Sequence, residues 1–238
     1  MDINPDTWIL LDWNGWHINA TIAFTWGVMA VLVVASWLIT ARLSDGENVS
    51  RWQVMLEVIV TGIRDQIAEV GTETPGRYLP FIGTLFLFIA TANILTIIPG
   101  YRPPTGSLST TSALAICVLI AVPLFSITQQ GLGSYLRGYL RPSPFMLPFN
   151  ILAEATRTIA LAVRLYGNVM SGTVIAGILL SIAPFFFPVL MQLLGLLTGL
   201  IQAYIFAVLA MVYIASASRA GPHHTHDPAP EPSRNEGE

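Results

Sequence analysis

Four long stretches of the chain carry no charged side chain, residues 21–41, 79–99, 111–128 and 188–218, and a fifth, 149–183, carries only three. A hydrocarbon core about 30 Å thick takes ~20 mostly apolar residues of helix, because a spanning segment must satisfy its own backbone hydrogen bonds. Each stretch therefore predicts a transmembrane helix. The fold class that follows is all-α, a polytopic membrane protein with about five spans in one transmembrane domain over residues 1–218. Proline ends or kinks helices, so the segment Pro184 to Pro188, with Phe185, Phe186 and Phe187, predicts the turn of a long C-terminal helical hairpin. The balance of 53% hydrophobic to 11% charged residues agrees, being far from that of soluble domains.

Between the first two spans, residues 51–71 are of another kind. Trp52, Met55, Leu56, Ile59, Ile63, Ile67 and Val70 recur at helical spacing opposite Gln53, Glu57, Arg64 and Asp65, which predicts an interfacial amphipathic helix. A helix packed against another protein domain would carry the same pattern. Past residue 218, four prolines and several charges predict a disordered tail over 219–238, and His223, His224 and His226 within it make no specific metal site. The single Cys117 lies in an apolar run, where helix packing is its expected role, and no disulfide framework is available.

Every basic residue is arginine. Arg42, Arg51, Arg64 and Arg77 follow the first span, Arg137 and Arg141 the third, and Arg219 and Arg234 the last, with Arg102 alone on the other side. Positive charge is retained in short cytoplasmic loops, so the N-terminus is expected outside, in the periplasm, and the C-terminus in the cytoplasm of a bacterial inner membrane. The N-terminal Asp2, Asp6 and Asp12 reverse the basic start of a signal peptide, so the first span is expected to be retained. No basic stripe points to nucleic acid.

The fourth span holds Glu154, Arg157 and Arg164. A charge at membrane depth costs from ~3 to above 10 kcal/mol, so function is the default expectation. Arg164 is about 24 Å of helix rise past Pro148, too deep for easy snorkelling. Arg157 and Arg164 lie nearly two turns apart and share a face, which Asn168 approaches one turn later. Glu154 and Arg157, at i and i+3, are placed to pair, which leaves Arg164 needing a carboxylate from elsewhere; capping of carbonyls or a lipid phosphate is the bland alternative. Gln202 and Tyr204 add polarity to the last span and Asn93 to the second, each readable either as packing glue or as part of an ion path.

These residues carry a resemblance. Leu161-Ala162-Val163-Arg164-Leu165-Tyr166-Gly167-Asn168-Val169-Met170-Ser171-Gly172 resembles the signature of F-type ATP synthase subunit a, an arginine followed by an aromatic, Gly and Asn. Leu200-Ile201-Gln202-Ala203-Tyr204-Ile205-Phe206 resembles that family's last helix, and Asn93 to Pro99 the end of its second span. The Pro148-Phe149-Asn150 lead-in and the Arg157-Thr158 pair resemble the sodium-associated branch.

The resemblance implies that Arg164 faces a rotating ring of c subunits, each bearing an ion-binding carboxylate, with two aqueous half-channels reaching that interface from opposite sides. It implies a b-type peripheral stalk and membrane lipid as further partners, H+ or Na+ as the transported ion, no cofactor, and ATP chemistry in other subunits. A guanidinium suits the role because it does not deprotonate. Each charge crossing 100 mV contributes about 2.3 kcal/mol, so several ions are needed per ATP. Positions that hold acidic or histidine residues in many members are Thr96, Thr173 and Gly195 here. With Tyr204, the two threonines are the half-channel candidates, and the ion-translocation candidates are Arg164, Asn168, Gln202, Glu154, Arg157 and Asn93. A self-contained secondary transporter is the alternative function, although such proteins typically show internal repeats and this chain has five unequal spans. An intramembrane enzyme lacks support, since neither a His-Glu-x-x-His motif nor paired aspartates occur at depth.

Overall fold

The computed structural model describes residues 9–13, 16–40, 51–69, 75–98, 101–133, 145, 147–182 and 187–219. Six long helices follow one another along these residues: α1 (Ala20–Thr40), α2 (Arg51–Glu69), α3 (Pro75–Ile94), α4 (Leu108–Gln130), α5 (Leu147–Ile182) and α6 (Phe187–Arg219). All but α2 are long and apolar enough to cross a membrane, so the chain is an all-α polytopic membrane protein. A two-stranded antiparallel hairpin that periodicity had not indicated, β1 (Ile9–Trp13) and β2 (Trp16–Asn19), leads into α1.

Local chemistry fixes the helix ends. As Pro99 approaches, α3 tightens into a 3-10 turn, Leu95–Ile97, and Ile98 turns extended at φ −77° and ψ 118°, because a residue close before proline is pushed out of the helical region. Ser107 caps α4 by accepting a hydrogen bond from the Ser109 amide at 3.2 Å. Gly131 ends it at φ +80°, a conformation side-chain-bearing residues rarely adopt.

The core lies where α3, α4, α5 and α6 meet. Ile89 and Ala92 of α3, Val118 of α4, Leu165 of α5 and Phe206, Ala210 and Ile214 of α6 are almost wholly buried. Alanines at these positions let the backbones approach, which is how helices associate where lipid removes the hydrophobic drive between them. Two spans are poorly covered by the rest of the chain. Only 11% of the α1 span and 17% of the α5 span is buried, against 39% for α3. At 36 residues, α5 is about 54 Å long, well beyond the ~30 Å a hydrocarbon core requires, so it must tilt or project.

The connection from α3 to α4 is not a surface loop. Pro103, Pro104, Thr105, Gly106 and Ser107 are all buried against the bundle. Its backbone is satisfied internally, with Gly106 N donating to Pro103 O at 2.9 Å and Ser107 N to Pro104 O at 3.0 Å. Those bonds allow irregular backbone to pack inside an apolar bundle. Gly106 sits so close to α5 that a Cβ there would meet Val169 Cγ1 at 3.3 Å.

Cys117 is exposed on α4, since the buried stripe of that helix runs through Ala115, Val118 and Ala121. The apolar stripe of α2 is partly taken up within the chain: Ile67 is buried beside α3, and Ile59 and Ile63 are half-buried, while Glu57, Arg64 and Asp65 face outward. Val70, the loop arginines Arg42, Arg137 and Arg141, Pro184 of the expected hairpin turn, and the tail from Ala220 lie outside the described residues.

Candidate functional site

Arg164 lies on the uncovered face of α5, exposed, between the buried Leu161 and Leu165 that hold the helix in the bundle. Among the described residues no hydrogen bond, ion pair or ring contact is made by its guanidinium. Arg157, also exposed on α5, differs. Its guanidinium carbon stands 5.7 Å from the centroid of the Tyr213 ring of α6, within cation–π range. Sequence reasoning missed Tyr213, since an isolated tyrosine in an apolar helix carries no signal until the partner helix is placed. Glu154, half-buried, lies one turn before Arg157.

Asn168 turns away from the exposed face and toward α6, donating from Nδ2 to the Thr198 carbonyl at 3.2 Å. Asn93 does likewise from α3, donating to its own Ile89 carbonyl at 2.9 Å and to the Gly199 carbonyl of α6 at 3.1 Å. The two amides thus bind consecutive carbonyls of α6 from two different helices. Gly199 makes the second approach possible, because a Cβ there would lie 2.8 Å from Asn93 Cγ.

Beside these bonds opens a cavity of about 340 Å³ between α3, the buried connection, α5 and α6, room for on the order of ten waters. Its α5 wall runs from Asn168 to Leu180 and its α6 wall from Met191 to Gly199, the C-terminal half of α5 and the N-terminal half of α6. It therefore extends about 18 Å along α5 and stops one turn short of Arg164. Thr96, Thr173 and Gly195, far apart in sequence, all line it, with Asn93 and Asn168 at the inner end. The lining contains no carboxylate and no basic side chain among the described residues. Gln192 and Tyr101, which sequence reasoning did not select, line it too. Burial pushes the Tyr101 hydroxyl well above the ordinary tyrosine range.

Two candidates fall elsewhere. Tyr204 hydrogen-bonds Gln66 of α2 and borders a separate, mainly apolar cavity of about 350 Å³ between α2, α3 and α6. It is two residues past Gln202, about 200° around the helix, which carries it to another face. Gln202 itself is buried, and its Nε2 has no hydrogen-bond partner among the described residues; its Oε1, the atom able to accept from a guanidinium, receives no hydrogen bond from Arg164 there.

The site's geometry is that of a cation without an ion pair among the described residues, on a poorly covered apolar helix, with a polar cavity reaching toward it from one end. Residues 22–215 match the family described as ATP synthase A chain. The chain belongs to the ATP synthase A chain family. It is 61% identical to "ATP synthase subunit a 2" of Acaryochloris marina over 224 residues, covering 94% of this chain and 96% of that one. It is 59% identical to "ATP synthase subunit a" of Albidiferax ferrireducens over 232 residues, 98% of each chain. It is 61% identical to "ATP synthase subunit a 1" of Chlorobaculum parvum over 219 residues, 92% of this chain and 97% of that one. Family membership agrees with the five long apolar helices, and the chain is a multi-pass membrane subunit of that assembly.

Proposed function

We propose that this chain is the stationary ion-path subunit of a rotary ATP synthase, with Arg164 facing a ring of carboxylate-bearing c subunits. The carrying observation is that Arg164 stands exposed on a poorly covered apolar helix with no counter-charge among the described residues of its own chain. An unpaired cation held in lipid is too costly to keep without a partner, and a carboxylate on an adjoining subunit supplies one. Each ring carboxylate, once it has released its ion, is held by the guanidinium. The fixed positive charge also repels ions, so none passes straight across and net flow requires rotation.

The polar cavity serves as one half-channel. It delivers or removes the ion near Asn168, one turn from Arg164, with Asn93, Thr96 and Thr173 on its walls. Arg157, stacked on Tyr213, extends positive charge toward the opposite side, beside Glu154. Positive-inside placement of the loop arginines supports a periplasmic N-terminus and a cytoplasmic C-terminus in a bacterial inner membrane, with the cavity opening to the periplasm. The chain carries no ATP chemistry of its own and works beside a b-type peripheral stalk. The transported ion is H+ or Na+.

A cysteine at Val163, exposed beside Arg164 on the same helix, tests the placement directly. In native membranes carrying Val163→Cys, short cross-linkers should capture a small carboxylate-bearing membrane subunit. Capture only of lipid, or of nothing, would refute the interface.

Gln202→Leu separates transport from packing. Replacing a buried amide whose Nε2 has no hydrogen-bond partner among the described residues with an apolar side chain of similar size is close to neutral for stability. Assembly should therefore be unchanged, while ATP-driven ion uptake falls by about ten-fold, the equivalent of ~1.4 kcal/mol. An unchanged uptake rate would return Gln202 to packing.

A further inference from the structure

The outer part of the polar cavity holds two features that the half-channel reading leaves unexplained. Gln192, exposed on α6, donates from Nε2 to the Thr96 carbonyl at 2.7 Å. That carbonyl lies in the 3-10 turn ending α3, where helix-terminal oxygens lack a partner of their own. With the amide nitrogen so committed, the amide's remaining polar end is Oε1, on a residue of the cavity lining. Tyr101, from the buried connection, lines the same cavity, and its hydroxyl is buried without a hydrogen-bond partner among the described residues. Its ring meets that of Phe24 of α1 in a T-shaped pair, with centroids 5.1 Å apart, which restrains the ring. A buried hydroxyl left without a partner is unfavourable, so its place in a polar cavity calls for water or a cation's hydration shell.

Gln192 and Gly199 are seven residues apart on α6, so the Gln192–Thr96 bond and the Asn93–Gly199 bond tie α3 to α6 about 10 Å apart along the cavity. The inner tie donates from Asn93 Nδ2 to two carbonyls, Ile89 and Gly199. The outer one leaves an amide oxygen over, at the end of the cavity away from Arg164.

We propose that Gln192 and Tyr101 form an ion-coordinating station at the outer end of the cavity, where neutral oxygens take the place of part of a monovalent cation's water shell. The proposal rests on the half-channel reading above and deepens it. The station selects by neutral ligation and not by protonation of a side chain, which fits a lining that contains Thr173 and Gly195 and no carboxylate among the described residues. Gln192 is then a specificity-determining residue, held in position by the Thr96 carbonyl.

The test uses the whole complex in proteoliposomes, synthesising ATP under a fixed potassium diffusion potential while the coupling ion on the supply side is varied. Sodium is varied at constant pH in one series and pH at constant low sodium in another, which distinguishes the two cations. Gln192→Leu should raise the half-saturating concentration of the coupling ion by roughly ten-fold, as expected for losing one polar contact to a charged group. The rate at saturation should stay within about two-fold of the unaltered complex. Tyr101→Phe should shift half-saturation in the same direction by less. A lower saturating rate at unchanged half-saturation would mean that Gln192 only braces the helices, and would overturn the proposal.

Should the leucine variant fail to assemble, a second measurement decides. Gln192→Cys, made with Cys117→Ser, should be blocked by a membrane-impermeant cationic thiol reagent and protected by a high concentration of the coupling ion. Absence of block, or block without protection, would also overturn it. Arg164→Ala run in parallel separates the two levels. Coupled transport surviving in Arg164→Ala sinks the stator reading itself. A dead Arg164→Ala beside a Gln192→Leu of unaltered ion dependence sinks only the station.

Discussion

Arg164→Ala should abolish ATP-driven ion uptake while leaving the complex assembled. The two halves of that expectation have different origins. Assembly survives because the side chain is exposed on its own subunit and makes no hydrogen bond or ion pair there among the described residues, so its removal opens no cavity and strands no partner. Transport is lost because a ring carboxylate that has given up its ion then faces lipid with no opposite charge. Leaving one charge of a buried pair alone costs about 3–5 kcal/mol, and at ~1.4 kcal/mol per factor of ten the coupled rate falls by roughly two to four orders of magnitude, to background. Arg164→Lys keeps a positive charge but replaces a planar fork with a compact ammonium that is easily neutralised when desolvated, so it should retain only a small residual rate. Uptake of the coupling ion into inverted vesicles, normalised to complex content on native gels, measures both variants. Uptake above one tenth of the unaltered rate in Arg164→Ala would remove the arginine from the mechanism.

The helices were legible in the sequence for a simple reason: lipid forces each spanning segment to be both apolar and hydrogen-bonded within itself, so length and charge alone mark it. The expected second span, 79–99, differs from α3 and its 3-10 turn only at the ends, where Pro75 starts the helix earlier and Pro99 stops it sooner. Arg164 was legible because a charge in such a segment is costly wherever the other helices lie. The cavity was less so. Thr96, Thr173 and Gly195 were singled out as departures from a family pattern, and only the packing of α3, α5 and α6 shows that all three border one space. Gln192, Tyr101 and Tyr213 carried no signal at all, since each acquires meaning from a carbonyl, a space or a guanidinium on a different element. Tyr204, two residues from Gln202 in sequence, is carried by helical geometry to α2 and the separate cavity there.

The same dependence on packing makes Gly199→Ala the most damaging small substitution in the hairpin. The added Cβ would lie 2.8 Å from Asn93 Cγ, 3.0 Å from Asn93 Cβ and 3.1 Å from Asn93 Oδ1, so α3 and α6 must part or Asn93 must rotate away. Asn93 is buried, and rotation costs it the 3.1 Å bond to the Gly199 carbonyl while leaving a polar amide in an apolar core. Overpacking typically costs about 1–3 kcal/mol, and an amide left without its partner adds a similar amount. The higher intrinsic helix propensity of alanine, ~1 kcal/mol, offsets only part of that sum. The complex should therefore melt at a lower temperature in detergent, and coupled transport should fall by at least ten-fold as the inner end of the cavity is displaced. Asn93→Ala supplies the control, because it removes the atoms with which the new methyl group collides. If steric conflict between these two positions is the cause, Asn93→Ala with Gly199→Ala should melt above Gly199→Ala alone, an interaction measurable as a double-mutant cycle. Additive melting shifts, with no recovery in the double variant, would show that Gly199 is needed for something other than the approach of Asn93.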